Sequence, residues 1–172
     1  MIGLIFDLDQ TLLDTSIAES FRKERLWNQV YSLIPEFNPY PDLIPAIQHI
    51  HALNYPIAIV SSSPASYCEK VAKHWKIPYN ALIGFHDTPY HKPHPQPISK
   101  ALERLKTNPH STLSFGDKMV DIQASQSAKV ISVGCLWGSL DPESLINSHP
   151  NHILYSPKEL LPLFKAILNT LE

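Results

Sequence analysis

Residues 4–15 read LIFDLDQTLLDT. Leu4, Ile5 and Phe6, with Leu8 beyond Asp7, form an apolar run of the kind that makes a buried strand, yet two carboxylates, Asp7 and Asp9, stand one residue apart at its end. Taking a carboxylate out of water is costly unless something compensates it. Side chains two apart on a strand point to the same side, so Asp7 and Asp9 face one place if the strand persists or the turn brings them there. A hard dication such as Mg²⁺, which takes carboxylate oxygens and keeps some of its waters, is a compensation that suits such a pair.

Moving outward, further short apolar runs without polar alternation occur at 2–6, 57–60, 81–83, 112–115, 129–133 and 152–154. Such runs fit strands covered on both faces, as in a parallel sheet. Helical stretches lie between them at 16–34, 42–53, 64–75, 95–106, 118–127, 141–147 and 157–170. The first opens with Ser16-Ile17-Ala18-Glu19, the spacing of a capping box, and carries Glu19 and Lys23 as an i,i+4 pair. Asn54 follows the second, where a helix exit takes a left-handed residue. The alternation predicts an α/β class, doubly wound, Rossmann-like and mostly parallel in its sheet. In such sheets ligands bind beyond the carboxyl ends of the strands, where Asp7, Ser61 and Asp117 all stand.

The 172 residues suit one domain over 1–172, with a hydrophobic share of 44% that argues against disorder. Fourteen basic against sixteen acidic residues give no electrostatic case for nucleic acid or an anionic membrane. Cys68 and Cys135 form no CxxC pair and are expected as reduced thiols in a cytoplasmic protein. The apolar start ends at Asp7 and lacks a basic flank, so no signal peptide is expected, and no stretch has the length of a membrane span.

Phosphoryl transfer needs a nucleophile, a cation to neutralise the equatorial oxygens and a proton for the leaving alkoxide. Asp7 is a candidate to attack phosphorus, and Asp9 to donate the proton and later activate water. At these residues the chain resembles the haloacid dehalogenase (HAD) superfamily, closest to its phosphoglycolate-phosphatase-like branch. The family's DxDxT stands as IFDLDQT; its strand ending in Ser or Thr as IAIVSS at 57–62; its Lys-Pro as Lys92-Pro93; and its GDxxxD as Gly116 through Asp121. Any one of these is a weak signal, but four in order on strand ends are a strong one. The likeness covers nearly the whole chain apart from 16–40.

The resemblance implies a Mg²⁺-dependent phosphatase acting on a phosphorylated substrate through a phospho-aspartate. Asp7 would be nucleophile and metal ligand, and Asp9 the acid/base with its backbone carbonyl on the metal. Ser61, with the Ser62 amide, would bind a transferring phosphoryl oxygen. Lys92 would offset negative charge around Asp7, Asp117 would complete the metal site, and Asp121 would bind the metal directly, through water, or hold Lys92. The carboxylate at Asp9 favours phosphatase over dehalogenase, whose leaving halide needs no proton. Two positions depart from the pattern: Gln10 replaces a common Gly, and Lys118 a common small hydroxyl residue. A phosphomutase, which uses the same residues, and an idle module that keeps the fold are the alternatives.

His86, His91 and His94 sit in a proline-interrupted segment without thiolate partners, so a zinc site is disfavoured and loop histidines are expected. Arg22, Lys23 and Arg25 read as a solvated helix face in preference to an anion site, and Trp27, Tyr31 and Ile34 as packing. The segment 14–40 is expected as a reduced helical cap, one long helix with at most a turn. So small a lid implies either a bulky substrate with an exposed phosphate or a wall borrowed from a second copy of the chain.

Overall fold

A computed structural model describes residues 1–171. The chain runs β1 (Gly3–Phe6), β2 (Leu13–Asp14), α1 (Glu19–Lys23), α2 (Trp27–Leu33), β3 (Asn38–Pro39), α3 (Leu43–Ala52), β4 (Ile57–Val60), α4 (Ala65–His74) and β5 (Ala81–Ile83). It continues through α5 (Gln96–Leu105), β6 (Thr112–Gly116), α6 (Met119–Ser127), β7 (Ile131–Cys135), α7 (Pro142–Asn147), β8 (His152–Leu154) and α8 (Leu160–Leu171). Six strands form one parallel sheet in the order β5-β4-β1-β6-β7-β8. The doubly wound α/β expectation therefore holds.

Period-2 alternation divides the core into two layers. Leu4 and Phe6 of β1 face one way, among Ile57, Ile59, Leu113 and Phe115, and are covered by Ile47 and Ile50 of α3, Val71 of α4 and Phe164 of α8. Ile5 faces the other way, with Ala58, Val60 and Ile83, under Ile98 and Ala101 of α5 and Ala124 of α6. Phe6 and Phe115 stack at 4.6 Å across neighbouring strands. Both faces of the sheet are thus dry, which is why its strands read as continuous apolar runs.

The winding reverses at β1. The chain first builds β4 and β5 on one side of it, then returns to build β6, β7 and β8 on the other. The Asp7 amide still donates to the Phe115 carbonyl at 2.9 Å, so the strand geometry holds up to the first carboxylate. Asp7 therefore stands at the topological switch point, where open α/β sheets leave a crevice.

The segment expected as one long helix is broken. A 3₁₀ turn at Ser16–Ala18, α1, a reversal at 24–26 and α2 replace it, and β2 pairs antiparallel with β3 to close the insert at its base. Arg25 adopts φ 58°, a left-handed turn that ends α1, signalled by neither Gly nor Pro. The expected capping box is absent too: Thr15 stands at the cap position without a side-chain cap bond, and the Ser16 amide donates to Asp14 Oδ1 at 2.9 Å. The Glu19–Lys23 pair does form, at 2.8 Å. Asn54 takes φ 64° after α3, as expected of a helix exit. The strand expected from 129 begins at Ile131, because Lys129, at φ 61°, still belongs to the exit of α6. Cys68 and Cys135 are free and buried. Among the described residues no helix is long and apolar enough to cross a membrane.

Candidate active site

Three carboxylates from distant parts of the chain meet beyond the ends of β1 and β6. Asp7, Asp117 and Asp121 each present an oxygen within 4.8 Å of the others. Asp7 leaves the end of β1, Asp117 follows β6, and Asp121 occupies the first turn of α6. Lys92, on the loop between β5 and α5, supplies the local cation. Its Nζ donates to Asp7 Oδ1 at 2.8 Å, to Asp121 Oδ1 at 2.6 Å and to the Val60 carbonyl at 3.1 Å, and its side chain is 5% exposed. The second oxygen of Asp121 accepts from the Lys118 amide at 3.0 Å, so this acid both holds Lys92 and opens its own helix.

One ammonium cannot neutralise three buried carboxylates. Burial raises the Asp117 carboxyl to about 8, reinforced by the charges of Asp7 and Asp121. Burial likewise raises Asp7 to about 6, against the opposing attraction of Lys92. Burial alone would lower the Lys92 ammonium, but Asp121 and Asp7 outweigh it and push the group up. Asp117 Oδ1 accepts from Thr11 Oγ1 at 3.0 Å, whereas Asp117 Oδ2 is buried without a hydrogen-bond partner among the described residues. An orphaned buried oxygen on an acid that is grouped with two further carboxylates belongs to a donor set a hard dication would complete, so the residues present fit Mg²⁺.

Asp9 points elsewhere. Tyr67 OH donates to its Oδ1 at 2.6 Å and Thr15 Oγ1 at 2.8 Å, while Ser63 Oγ donates to Oδ2 at 3.0 Å. Arg22 adds an ion pair at 3.3 Å, with its own side chain only 14% exposed. The expectation of a solvated basic face therefore fails at Arg22, whose guanidinium also donates to the Thr15 carbonyl at 3.1 Å and lies 5.9 Å from the Tyr67 ring. Trp27 packs on Tyr67 at 5.9 Å, as its apolar spacing suggested.

Ser61 and Ser62 follow β4. The Ser61 hydroxyl oxygen accepts from the Ser63 amide at 3.0 Å, leaving its hydrogen for an oxygen in the site. Asp7, Asp9, Ser61, Ser62, Lys92 and Asp121 line one cavity of about 230 Å³ together with Lys118; Asp117 is 1% exposed. Every residue singled out in the four motifs is thus gathered at one end of the sheet. His91 stacks on Phe85 at 3.9 Å and His94 on Tyr90 at 4.6 Å, so both are packed loop histidines. The partners of Asp9 were not legible: Tyr67 reads as an ordinary helix residue, and only the fold brings it 58 positions back to the acid. Thr11 did have a signal, since it is the T of the DxDxT pattern.

A family model described as haloacid dehalogenase-like hydrolase matches residues 20–135, more than half of the chain. The chain belongs to that family. It is 29% identical over 142 residues to the phosphoglycolate phosphatase of Shigella boydii, covering 80% of this chain and 56% of that one. It is also 29% identical over 130 residues to the pyrophosphatase PpaX of Bacillus mycoides, covering 74% and 60% respectively. The chain thus spans little more than half the length of these relatives. Among solved structures, a hydrolase from Pseudomonas syringae superposes with a TM-score of 0.79 at 20% identity, covering 97% of this chain and 99% of that one. A β-phosphoglucomutase from Clostridium difficile gives 0.78 at 19%, covering 99% and 98%, which speaks to the shared fold.

Proposed function

We propose that the chain is a Mg²⁺-dependent phosphatase that hydrolyses a phosphate monoester through a phospho-aspartate on Asp7. The observation that carries this reading is the convergence of Asp7, Asp117 and Asp121 on one point, with Lys92 bonded to Asp7. Asp7, Asp117 and Asp121 would hold the ion, together with the backbone carbonyl of Asp9. When bound, Mg²⁺ supplies positive charge that keeps Asp7 ionised and offsets the charge of the phosphoryl oxygens.

Lys92 occupies Asp7 Oδ1, leaving the other carboxylate oxygen for phosphorus. That oxygen attacks, the ester P–O bond breaks, and the leaving alkoxide takes a proton from Asp9, whose carboxyl must first turn away from the Tyr67, Thr15, Ser63 and Arg22 groups that hold it, and enter the reaction protonated. Asp9, now a carboxylate, removes a proton from water; the resulting hydroxide displaces Asp7 from phosphorus and releases inorganic phosphate. The Ser61 hydroxyl stays against the phosphoryl oxygens throughout, while Lys92, its three hydrogens held by Asp7, Asp121 and the Val60 carbonyl, offsets their charge from a place fixed before reaction, as electrostatic catalysis requires. The test is release of inorganic phosphate from a panel of phosphate esters, with and without Mg²⁺, by the natural sequence and by Asp7→Asn. Loss of activity by a factor of 10³ or more is expected on the order of a removed nucleophile. Equal rates for the two proteins across the panel would end the enzyme reading.

A further inference from the structure

The cavity over the carboxylates does not end there. A second cavity, of about 440 Å³, adjoins it and shares Arg22, Lys23, Ser62 and Ser63 with it. The broken cap helix gives this space its character. Arg22 and Lys23 come from α1, Arg25 from the left-handed turn after it, and Trp27 from the start of α2; Phe85, from the turn after β5, also lines it. No acid is among its lining residues, although Glu19 pairs with Lys23 from the neighbouring cavity. Arg25 makes no ion pair among the described residues. The lining therefore joins an uncompensated cation to aromatic surface, directly beside the phosphoryl site. Its volume falls in the range of pockets that bury a ligand of many atoms, well beyond the needs of a two-carbon leaving group.

We propose that this cavity seats the leaving group of the ester and selects phosphate monoesters whose leaving group joins an apolar or aromatic body to a second anion. The proposal rests on the phosphatase reading for its first cavity and adds the substrate class. The phosphate lies against Lys92 and Ser61; the body of the leaving group passes Ser62 and Ser63 and packs between Trp27 and Phe85; the second anion meets Arg25 and Lys23. Because both cations come from the insert, substrate binding also fixes the insert against the sheet.

The test compares 4-carboxyphenyl phosphate with 4-carbamoylphenyl phosphate, equal in size but differing in charge, and with phosphoglycolate, which has the second anion without the ring. The expected result is a kcat/KM for the carboxy ester above both others by roughly tenfold, the scale of one charge-assisted hydrogen bond. Arg25→Gln with Lys23→Gln, at two exposed positions, brings the ratio of carboxy to carbamoyl ester close to one, and Trp27→Ala lowers kcat/KM for both aryl esters. Equilibrium binding of 4-carboxybenzylphosphonate against its carbamoyl counterpart, with Mg²⁺ present, reads the same preference without turnover. Turnover of all esters with no charge preference, or a preference for phosphoglycolate, overturns this proposal and leaves the phosphatase reading standing. A tenfold binding preference with no hydrolysis of any ester does the reverse.

Discussion

At the scale of single residues, the decisive fact is that Asp7 and Asp117 sit where a carboxylate is disfavoured. Their carboxyl groups rise to about 6 and about 8 in the folded chain, from an ordinary value of 3.8, chiefly through burial. A dication that requires both as anions must displace protons. Calorimetric titration of Mg²⁺ in two buffers of different ionisation enthalpy should therefore reveal proton release near neutral pH, and affinity should strengthen from pH 6 to pH 8. Affinity that is flat across that range would contradict the geometry. The stability sign follows from the same shifts. The folded metal-free chain binds more protons than the unfolded one, so its stability is greatest below about pH 4 as far as these groups go, and falls as pH rises through 6 and 8. Saturating Mg²⁺ should flatten that fall. Asp9 lies outside the triad, its oxygens accepting from Tyr67, Thr15 and Ser63 and pairing with Arg22. Asp9→Asn should slow turnover of the phosphoenzyme by on the order of 10² or more, the usual contribution of an acid/base group, and weaken Mg²⁺ binding far less. Quench-flow detection of the acyl phosphate beside a metal titration separates the two effects; equal losses would mean that Asp9 serves the metal instead.

At the scale of elements, the short 3₁₀ turn after β7, Leu136–Gly138, fastens the catalytic loop from behind. Trp137 Nε1 donates to the Thr11 carbonyl at 3.0 Å, and Ser139 Oγ to the Asp117 carbonyl at 2.7 Å. Gly138 lies so close that a Cβ there would sit 1.7 Å from the Gln10 carbonyl oxygen. Backbone cannot yield cheaply, so Gly138→Ala should cost about 1–3 kcal/mol or more in urea unfolding and weaken Mg²⁺ binding as the loop shifts. An unchanged midpoint and affinity would show that the turn and the loop can separate at little cost. The same loop shows why Gln10 was ambiguous in the sequence. Its backbone takes φ 64°, which explains the preference for Gly at this point of the pattern, but its side-chain Oε1 accepts from the Thr15 amide at 2.8 Å and so anchors the turn. The strands and the helices after residue 42 were legible because each is covered on a defined face and carries its period in the sequence. The insert was not: α1 and α2 read as one helix because Arg25 ends a helix without a glycine, and its contacts with Asp9 depend on folding across the sheet.

For the whole molecule, Lys92 is the residue through which the two wings of the sheet meet. It reaches Asp7 across 85 positions and Asp121 across 29, and it caps the end of β4 through the Val60 carbonyl. Removing a nearly buried cation strands two carboxylates, and Lys92→Met should destabilise the metal-free protein by about 3–5 kcal/mol, with excess Mg²⁺ recovering part of it. Thermal unfolding with and without the ion checks this; a variant as stable as the parent would remove Lys92 from the centre of the account. The four motifs were readable because chemistry fixes their residue types, while the distances joining them belong to the topology. From the reach of that one amine it follows that when β4 and β5 settle on β1 with the loop after them in place, Lys92 meets only Asp7 and the Val60 carbonyl, and its bond to Asp121 waits for α6 to dock. Half-built sheets therefore hold an incomplete set of charge contacts, and a newly made molecule gains its working chemistry in the same event that finishes its architecture.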